Sequence, residues 1–164
     1  IEESGKTKSE FKKEVKSTID ADELYESDNF MVIHLKNKEA AIYYGRGTQW
    51  CTAATVSHNE FNNYSKDNFL LYVIINKDFN KLLENLNIKD QNNKVEEKYR
   101  KIQIGYNKIN YSNGENGIDS QIMDSLDQPV NESKLKLILG SEADVILQSI
   151  NLHFNSKEES PLNE

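Results

Sequence analysis

The densest group of chemically useful residues is the segment Gly45–Cys51, which reads GRGTQWC. Two glycines two positions apart let the backbone approach a ligand, and Arg46 can grip a phosphate or a carboxylate through two parallel hydrogen bonds. Short polar side chains follow, and the only tryptophan of the chain offers a face for stacking. We therefore expect a pocket for a ligand or partner lined by Gly45, Arg46, Gly47, Thr48, Gln49 and Trp50.

A structural explanation of the same segment stays open. Two glycines after a helix commonly form its C-terminal cap and a turn. A tryptophan and a lone cysteine are more often packed in the core than engaged in chemistry. Burial of both Trp50 and Cys51 in the core, with Arg46 pointing to open solvent, would rule out a binding pocket at this segment.

Two residues, His34 and Cys51, are the candidates for catalysis. A single intracellular cysteine with a histidine elsewhere in the chain is the usual pattern of a cysteine nucleophile and its base. His58 and His153 are the other available bases. A lone cysteine is also often a small buried hydrophobe, so this assignment stays a hypothesis.

The spacing of the histidines does not indicate a metal site. The three of them are far apart in the sequence, and neither an HExxH motif nor a histidine pair four residues apart is present. We therefore expect no metal ligands.

The segment YYGRGTQWCTA, with FNNY and FLLYVIINK after it, resembles a family of small phage and mobile-element proteins. That family carries a G-[KR]-G-T-[KR]-W-C-[TI]-A-like motif, a downstream F-x-x-Y and an apolar strand that ends in lysine. The resemblance covers roughly residues 30 to 77. It implies an origin in a phage or mobile element and does not define an activity.

A second resemblance, to ADP-ribosyltransferases of the poly-ADP-ribose polymerase type, rests on Gly45-Arg46-Gly47 and on His34 in a preceding apolar run. It implies NAD as cofactor, held by His34, Thr48 and Trp50, with Glu96 or Glu97 as the carboxylate. The sequence departs from that family where Gln49 replaces a tyrosine and where leucine, instead of glycine, follows the histidine.

Composition excludes several classes of function. The net charge of −7 argues against a general nucleic-acid binder, which needs a clustered positive excess. No apolar run approaches the roughly 18 residues that span a bilayer, so we expect no membrane association. One cysteine in 164 residues excludes an internal disulfide and fits a reducing compartment, the cytoplasm of the host cell.

The tyrosine content favours a protein partner. Eight tyrosines fall mostly in the central part of the chain. Tyrosine-rich surfaces suit protein interfaces because they bury a large area at little entropic cost. We expect a host-factor or virion protein as the partner, with the NAD-dependent enzyme as the alternative function.

The apolar patterns predict an α+β fold with a small, mainly antiparallel sheet flanked by N- and C-terminal helices. Strands are predicted at 30–35, 69–76 and 99–106, and the second is apolar on both faces, which indicates a central position. We expect one domain over residues 1–155 and an acidic disordered tail over 156–164.

Capping residues and apolar spacing predict the helices. An N-terminal helix presents Phe11, Val15 and Ile19 on one face. Asn37 is predicted to cap a helix over 38–44, and Asp78 is predicted to open another helix. Short helices are predicted at 58–64 and from Asp119 to Leu126. A pair of helices, divided at Gly140, is predicted over 133–155.

Overall fold

The computed structural model describes residues 18–48, 50, 70–87, 94–110 and 116–159. Among these residues, five strands form one sheet in the order in which they occur, and each is antiparallel to the next. The α+β fold with an antiparallel sheet is confirmed. The strands are β1 (Ala21–Glu26), β2 (Phe30–Leu35), β3 (Leu70–Asn76), β4 (Lys101–Asn110) and β5 (Asn116–Met123).

Four α-helices accompany the described strands: α1 (Lys38–Tyr44), α2 (Phe79–Asn85), α3 (Glu132–Leu139) and α4 (Ala143–Glu159). Three of them begin at a cap that the sequence supplies. The Asn37 side chain accepts a hydrogen bond from an amide of the first turn of α1, and Asp78 and Asn131 do the same for α2 and α3. The predicted division at Gly140 is confirmed by a short 3-10 segment, Gly140–Glu142.

The sheet separates two apolar clusters, because alternate side chains of a strand point to opposite faces. On the helix-covered face, Val32 of β2 and Ile74 of β3 pack in one cluster with residues of α2, α3 and α4. On the turn-covered face, Ile33 and Val73 pack with residues of α1 and with Trp50. β3 is the middle strand and is largely buried, as its apolar pattern predicts.

The structure corrects three expectations about the sheet. β1 was not predicted, since its sequence ADELYE carries three carboxylates and little apolar pattern. The helix expected from Asp119 to Leu126 is wrong, because Asp119 lies inside β5 and pairs with Asn107 of β4. Asn-Gly pairs are also strong turn signals in a sequence, but Asn116-Gly117 instead opens β5.

The ends of the chain differ from the prediction or lie outside the described residues. α4 continues to Glu159, so residues 156–159 of the expected tail are helical. Residues 160–164, most of the predicted N-terminal helix, and the predicted helix at 58–64 lie outside the described residues. Within the described part of the chain, no helix has the length and apolar character needed to cross a bilayer.

A carboxylate at the start of α4 ties the helices to the β1–β2 turn. Glu142 accepts hydrogen bonds from the Tyr25 hydroxyl at 2.7 Å, the Ser27 hydroxyl at 2.5 Å and the Asn29 amide at 2.9 Å. Burial alone raises the pKa of Glu142, but the hydrogen bonds from Ser27, Asn29 and Tyr25 outweigh it, and the pKa is lowered.

We expect Glu142→Gln to lower the free energy of unfolding at neutral pH by about 1–3 kcal/mol, because charge-assisted bonds are replaced by weaker ones. The pKa of Glu142 is depressed in the folded state, so its contribution is present above the ordinary value of 4.5 and is lost as the pH falls. The wild-type protein should therefore lose more stability on acidification than the variant. Urea unfolding across this pH range measures both effects.

The exposed pair Glu132–Lys136 supplies the control for this prediction. Glu132→Gln should change the free energy of unfolding by less than about 1 kcal/mol, since exposed ion pairs contribute little. Equal losses in the two variants would contradict a special role for Glu142.

Candidate functional site

The GRG segment forms a tight turn at the end of α1. The amide of Gly45 donates to Ala41 and caps the helix, and the Thr48 amide and hydroxyl both donate back to the Gly45 carbonyl, at 3.1 and 2.6 Å. Gly47 has a φ of +84°, a conformation that favours glycine. A Cβ at Gly47 would meet no atom within 4 Å, so its backbone conformation, rather than crowding, calls for glycine.

Trp50 anchors this turn to the core. Its side chain is 3% exposed, it packs on the turn-covered face, and its indole Nε1 donates to the Asp124 carbonyl at 2.7 Å. Trp50 is therefore buried, as the structural explanation of the segment requires, and its ring is not a solvent-facing stacking platform. Gln49 and Cys51 lie outside the described residues.

Arg46, in contrast, is exposed and held in place. Its guanidinium lies 4.2 Å from the centre of the Tyr43 ring, and its Nε donates to the Tyr43 carbonyl at 2.9 Å. The Lys101 ammonium donates to the Arg46 carbonyl at 2.9 Å, which joins the turn to β4. The contacts of the Arg46 side chain with the Tyr43 ring and with the Tyr43 carbonyl thus orient the guanidinium before any ligand binds.

Arg46 and Gly47 line a pocket of about 470 Å³, open to solvent, on the surface between the turn and the start of β4. We call it the basic pocket. It is bordered by four cationic side chains and one carboxylate, in a chain whose net charge is −7. Its lining residues are Arg46, Gly47, Glu97, Lys98, Arg100, Lys101, Ser125 and Leu126.

Charge is concentrated in the basic pocket at an energetic cost. Burial lowers the pKa of Lys101, and repulsion from Arg46 lowers it further. Arg100 lies 4.0 Å from the centre of the Phe79 ring and 3.4 Å from a Glu97 carboxylate oxygen. An anion that entered the pocket would relieve the repulsion, so its electrostatics favour a negatively charged ligand.

A second polar cluster lies on the helix-covered face of the sheet. Asp22, His34 and Tyr72 are directly opposite one another on β1, β2 and β3, and His153 of α4 lies over them. The His34 and His153 ring centres are 4.4 Å apart, and His34 Nδ1 is 4.0 Å from Asp22 Oδ2. We call Asp22, His34 and His153 the histidine cluster.

Tyr72 orients the His153 ring of this cluster. Its hydroxyl is 2.9 Å from His153 Nδ1, and its side chain is fully buried. Burial raises the pKa of Tyr72 well above its ordinary value of 10.0, with a smaller contribution from Tyr106, so the hydroxyl stays neutral. The potential ligand atoms of the histidine cluster all lie within 4.8 Å of one another, close enough to converge on a cation.

The structure does not assemble the constellation proposed for NAD. His34 lies on the helix-covered face, whereas Trp50 packs on the turn-covered face, so the sheet separates them. Glu97 does line the basic pocket beside Arg46. His34 is instead brought to His153, a pairing that the sequence order does not indicate.

Comparison with known proteins gives no match: no family model, no curated protein and no solved structure corresponds to this chain.

Proposed function

We propose that this chain is a protein-binding module of a phage or mobile element, whose basic pocket receives an acidic segment of a partner protein. The observation that carries the proposal is the grouping of Arg46, Lys98, Arg100 and Lys101 around one open pocket of an otherwise acidic chain. The compartment that we propose is the cytoplasm of the host cell, where a lone cysteine stays reduced.

Each cation suits a carboxylate in a different way. The guanidinium of Arg46 is pre-oriented by Tyr43, so little rotamer entropy is lost when its terminal nitrogens bind both oxygens of a carboxylate. Lys98 and Lys101 act as point charges that bind without strict geometry. The pocket thus favours any negatively charged group, and Arg46 adds a preference for a planar group that can bind through two oxygens.

An apolar contact at the rim favours a peptide over a free anion. Leu126 lines the pocket and is 50% exposed, so its side chain is available for an apolar contact. Covering it on binding would add hydrophobic stabilisation. The ligand that fits best is an acidic segment with one apolar residue among its carboxylates.

An NAD-like nucleotide is the second candidate, because the pocket volume of about 470 Å³ lies within the ~300–1,000 Å³ usual for small-molecule sites. The same cations could bind a pyrophosphate. The hypothesis of an NAD-dependent enzyme has less support, since neither His34 nor Trp50 is among the residues that line the basic pocket.

We expect a fluorescein-labelled peptide of sequence DDLED to bind the full chain saturably, as measured by fluorescence anisotropy. Arg46→Gln and Lys98→Gln should each raise Kd roughly three- to tenfold, since an ionic contact at a partly exposed site contributes ~1 kcal/mol. Binding should also weaken as salt is added.

Two controls separate the pocket from overall charge. Lys136→Gln removes the same charge from an exposed lysine of α3, outside the basic pocket, and should leave Kd unchanged. The neutral peptide NNLQN should not bind. Equal losses in all three variants, or binding of NAD and ADP-ribose in preference to the acidic peptide, would contradict the proposal.

A further inference from the structure

The histidine cluster has the composition of a transition-metal site. Two imidazoles and one carboxylate suit Zn²⁺, whereas Mg²⁺ and Ca²⁺ prefer oxygen ligands alone. The three residues come from β1, β2 and α4, so only the folded chain brings them together. Such convergence of distant residues differs from a patch of exposed acidic groups.

The distances allow a metal ion with small side-chain movements. Ligand atoms around a tetrahedral Zn²⁺ are about 3.3 Å apart, given metal–ligand bonds of about 2.0–2.1 Å. His34 Nδ1 and Asp22 Oδ2 are 4.0 Å apart, and all three ligand atoms lie within 4.8 Å of one another. Asp22 is the residue with room to move, since its side chain is 44% exposed on the edge strand β1 of the described sheet.

The surroundings supply the supporting groups that metal sites need. The Tyr72 hydroxyl, 2.9 Å from His153 Nδ1, fixes the orientation of that ring and can donate or accept according to the tautomer. Asp22 Oδ2 faces His34, and Asp22 Oδ1 lies 3.7 Å from the Lys36 ammonium. Because Oδ1 pairs with Lys36, we expect Asp22 to bind the metal through Oδ2 alone.

We propose that Asp22, His34 and His153 bind one Zn²⁺ ion, with the exposed side of Asp22 as its route of entry. Three protein ligands leave one position of a tetrahedral ion for water or an exogenous ligand, the arrangement of zinc sites that do chemistry rather than hold a fold. This proposal is independent of the basic pocket, since the two sites share no residue.

The test is calorimetric titration of the metal-stripped full chain with ZnCl₂, with MgCl₂ as comparison. We expect one ion per chain and no Mg²⁺ binding. Asp22→Asn and His153→Gln should each raise the Kd for Zn²⁺ by more than ~10–100-fold, which is the loss typical when a residue that only hydrogen-bonds a metal ligand is replaced. Circular dichroism and thermal melting without metal establish that each variant is folded, and exposed Asp22 keeps the test valid if His153→Gln is unstable.

Asp20→Asn is the matched control, because Asp20 also pairs with Lys36, at 3.7 Å, and is not part of the histidine cluster. Retained Zn²⁺ binding in this variant, with loss in the two ligand variants, supports the site. The proposal is overturned by absence of saturable binding to the folded wild-type chain, by wild-type affinity in either ligand variant, by equal weakening in Asp20→Asn, or by preferential Mg²⁺ binding.

Discussion

Replacement of Trp50 by alanine is expected to lower the free energy of unfolding by about 3–5 kcal/mol, because a buried aromatic ring is lost and a cavity is left. The ring is 3% exposed, and its Nε1 holds the Asp124 carbonyl, next to Ser125 and Leu126 of the basic pocket. The loss should therefore also loosen the wall opposite the GRG turn and weaken binding of the acidic peptide. Urea unfolding and fluorescence anisotropy measure the two effects.

Trp50→Phe separates packing from the hydrogen bond. It keeps most of the apolar volume and leaves the Asp124 carbonyl without its indole partner, which costs about 1–3 kcal/mol. If Trp50→Ala changed peptide affinity strongly but stability by less than about 1 kcal/mol, Trp50 would be a ligand contact after all, and the account of a structural anchor would be wrong.

The second large effect is expected for Gly140→Ala, with a loss of about 2–4 kcal/mol from backbone strain and steric conflict. Gly140 ends α3 with φ +61° and ψ −135°. A Cβ there would lie 2.7–2.8 Å from the side-chain amide of Asn85, which itself donates to the Ile138 carbonyl at 3.0 Å. Thermal or urea unfolding measures the loss.

Gly47→Ala is the matched comparison for this substitution. Gly47 also has a positive φ, +84°, but a Cβ there meets no atom within 4 Å. Its cost should be that of the backbone alone, about 1 kcal/mol. In a double variant, Asn85→Ala should offset part of the Gly140→Ala loss, because the two sites touch. Equal costs at the two glycines would contradict the conflict with Asn85.

Local signals predicted the elements that begin and end at strong caps. Asn37 and Gly45 mark both ends of α1, and Gly140 divides the C-terminal helices where expected. These residues act within one turn of the backbone, so neighbouring sequence is sufficient to reveal them.

Tertiary pairing decided the elements that were missed. Ile118 and Ile122 of β5 are compatible with either a short helix or a strand, and the ladder with β4 favours the strand. β1 has almost no apolar pattern, and its pairing with β2 makes it a strand.

Of the two candidate sites, the basic pocket has a local sequence signal and the histidine cluster depends on tertiary contacts. The GRG motif predicted Arg46 as a site residue, whereas the basic run Lys98-Tyr99-Arg100-Lys101 was not among the predicted site residues, although three of its side chains line the pocket. The histidine cluster had no local signal, because His34 and His153 are joined only by the packing of α4 on the sheet. The expectation of no metal ligands rested on spacing along the chain and could not take this contact into account.

Binding of an acidic segment in the basic pocket can be followed residue by residue in backbone amide NMR spectra of the labelled chain during titration with the DDLED peptide. We expect saturable chemical-shift changes that are smaller in the Arg46→Gln variant and that are concentrated at Arg46, Gly47, the 97–101 segment, Ser125 and Leu126. Absence of shifts at these residues, or shifts spread evenly over the lysines of the chain, would contradict binding in this pocket.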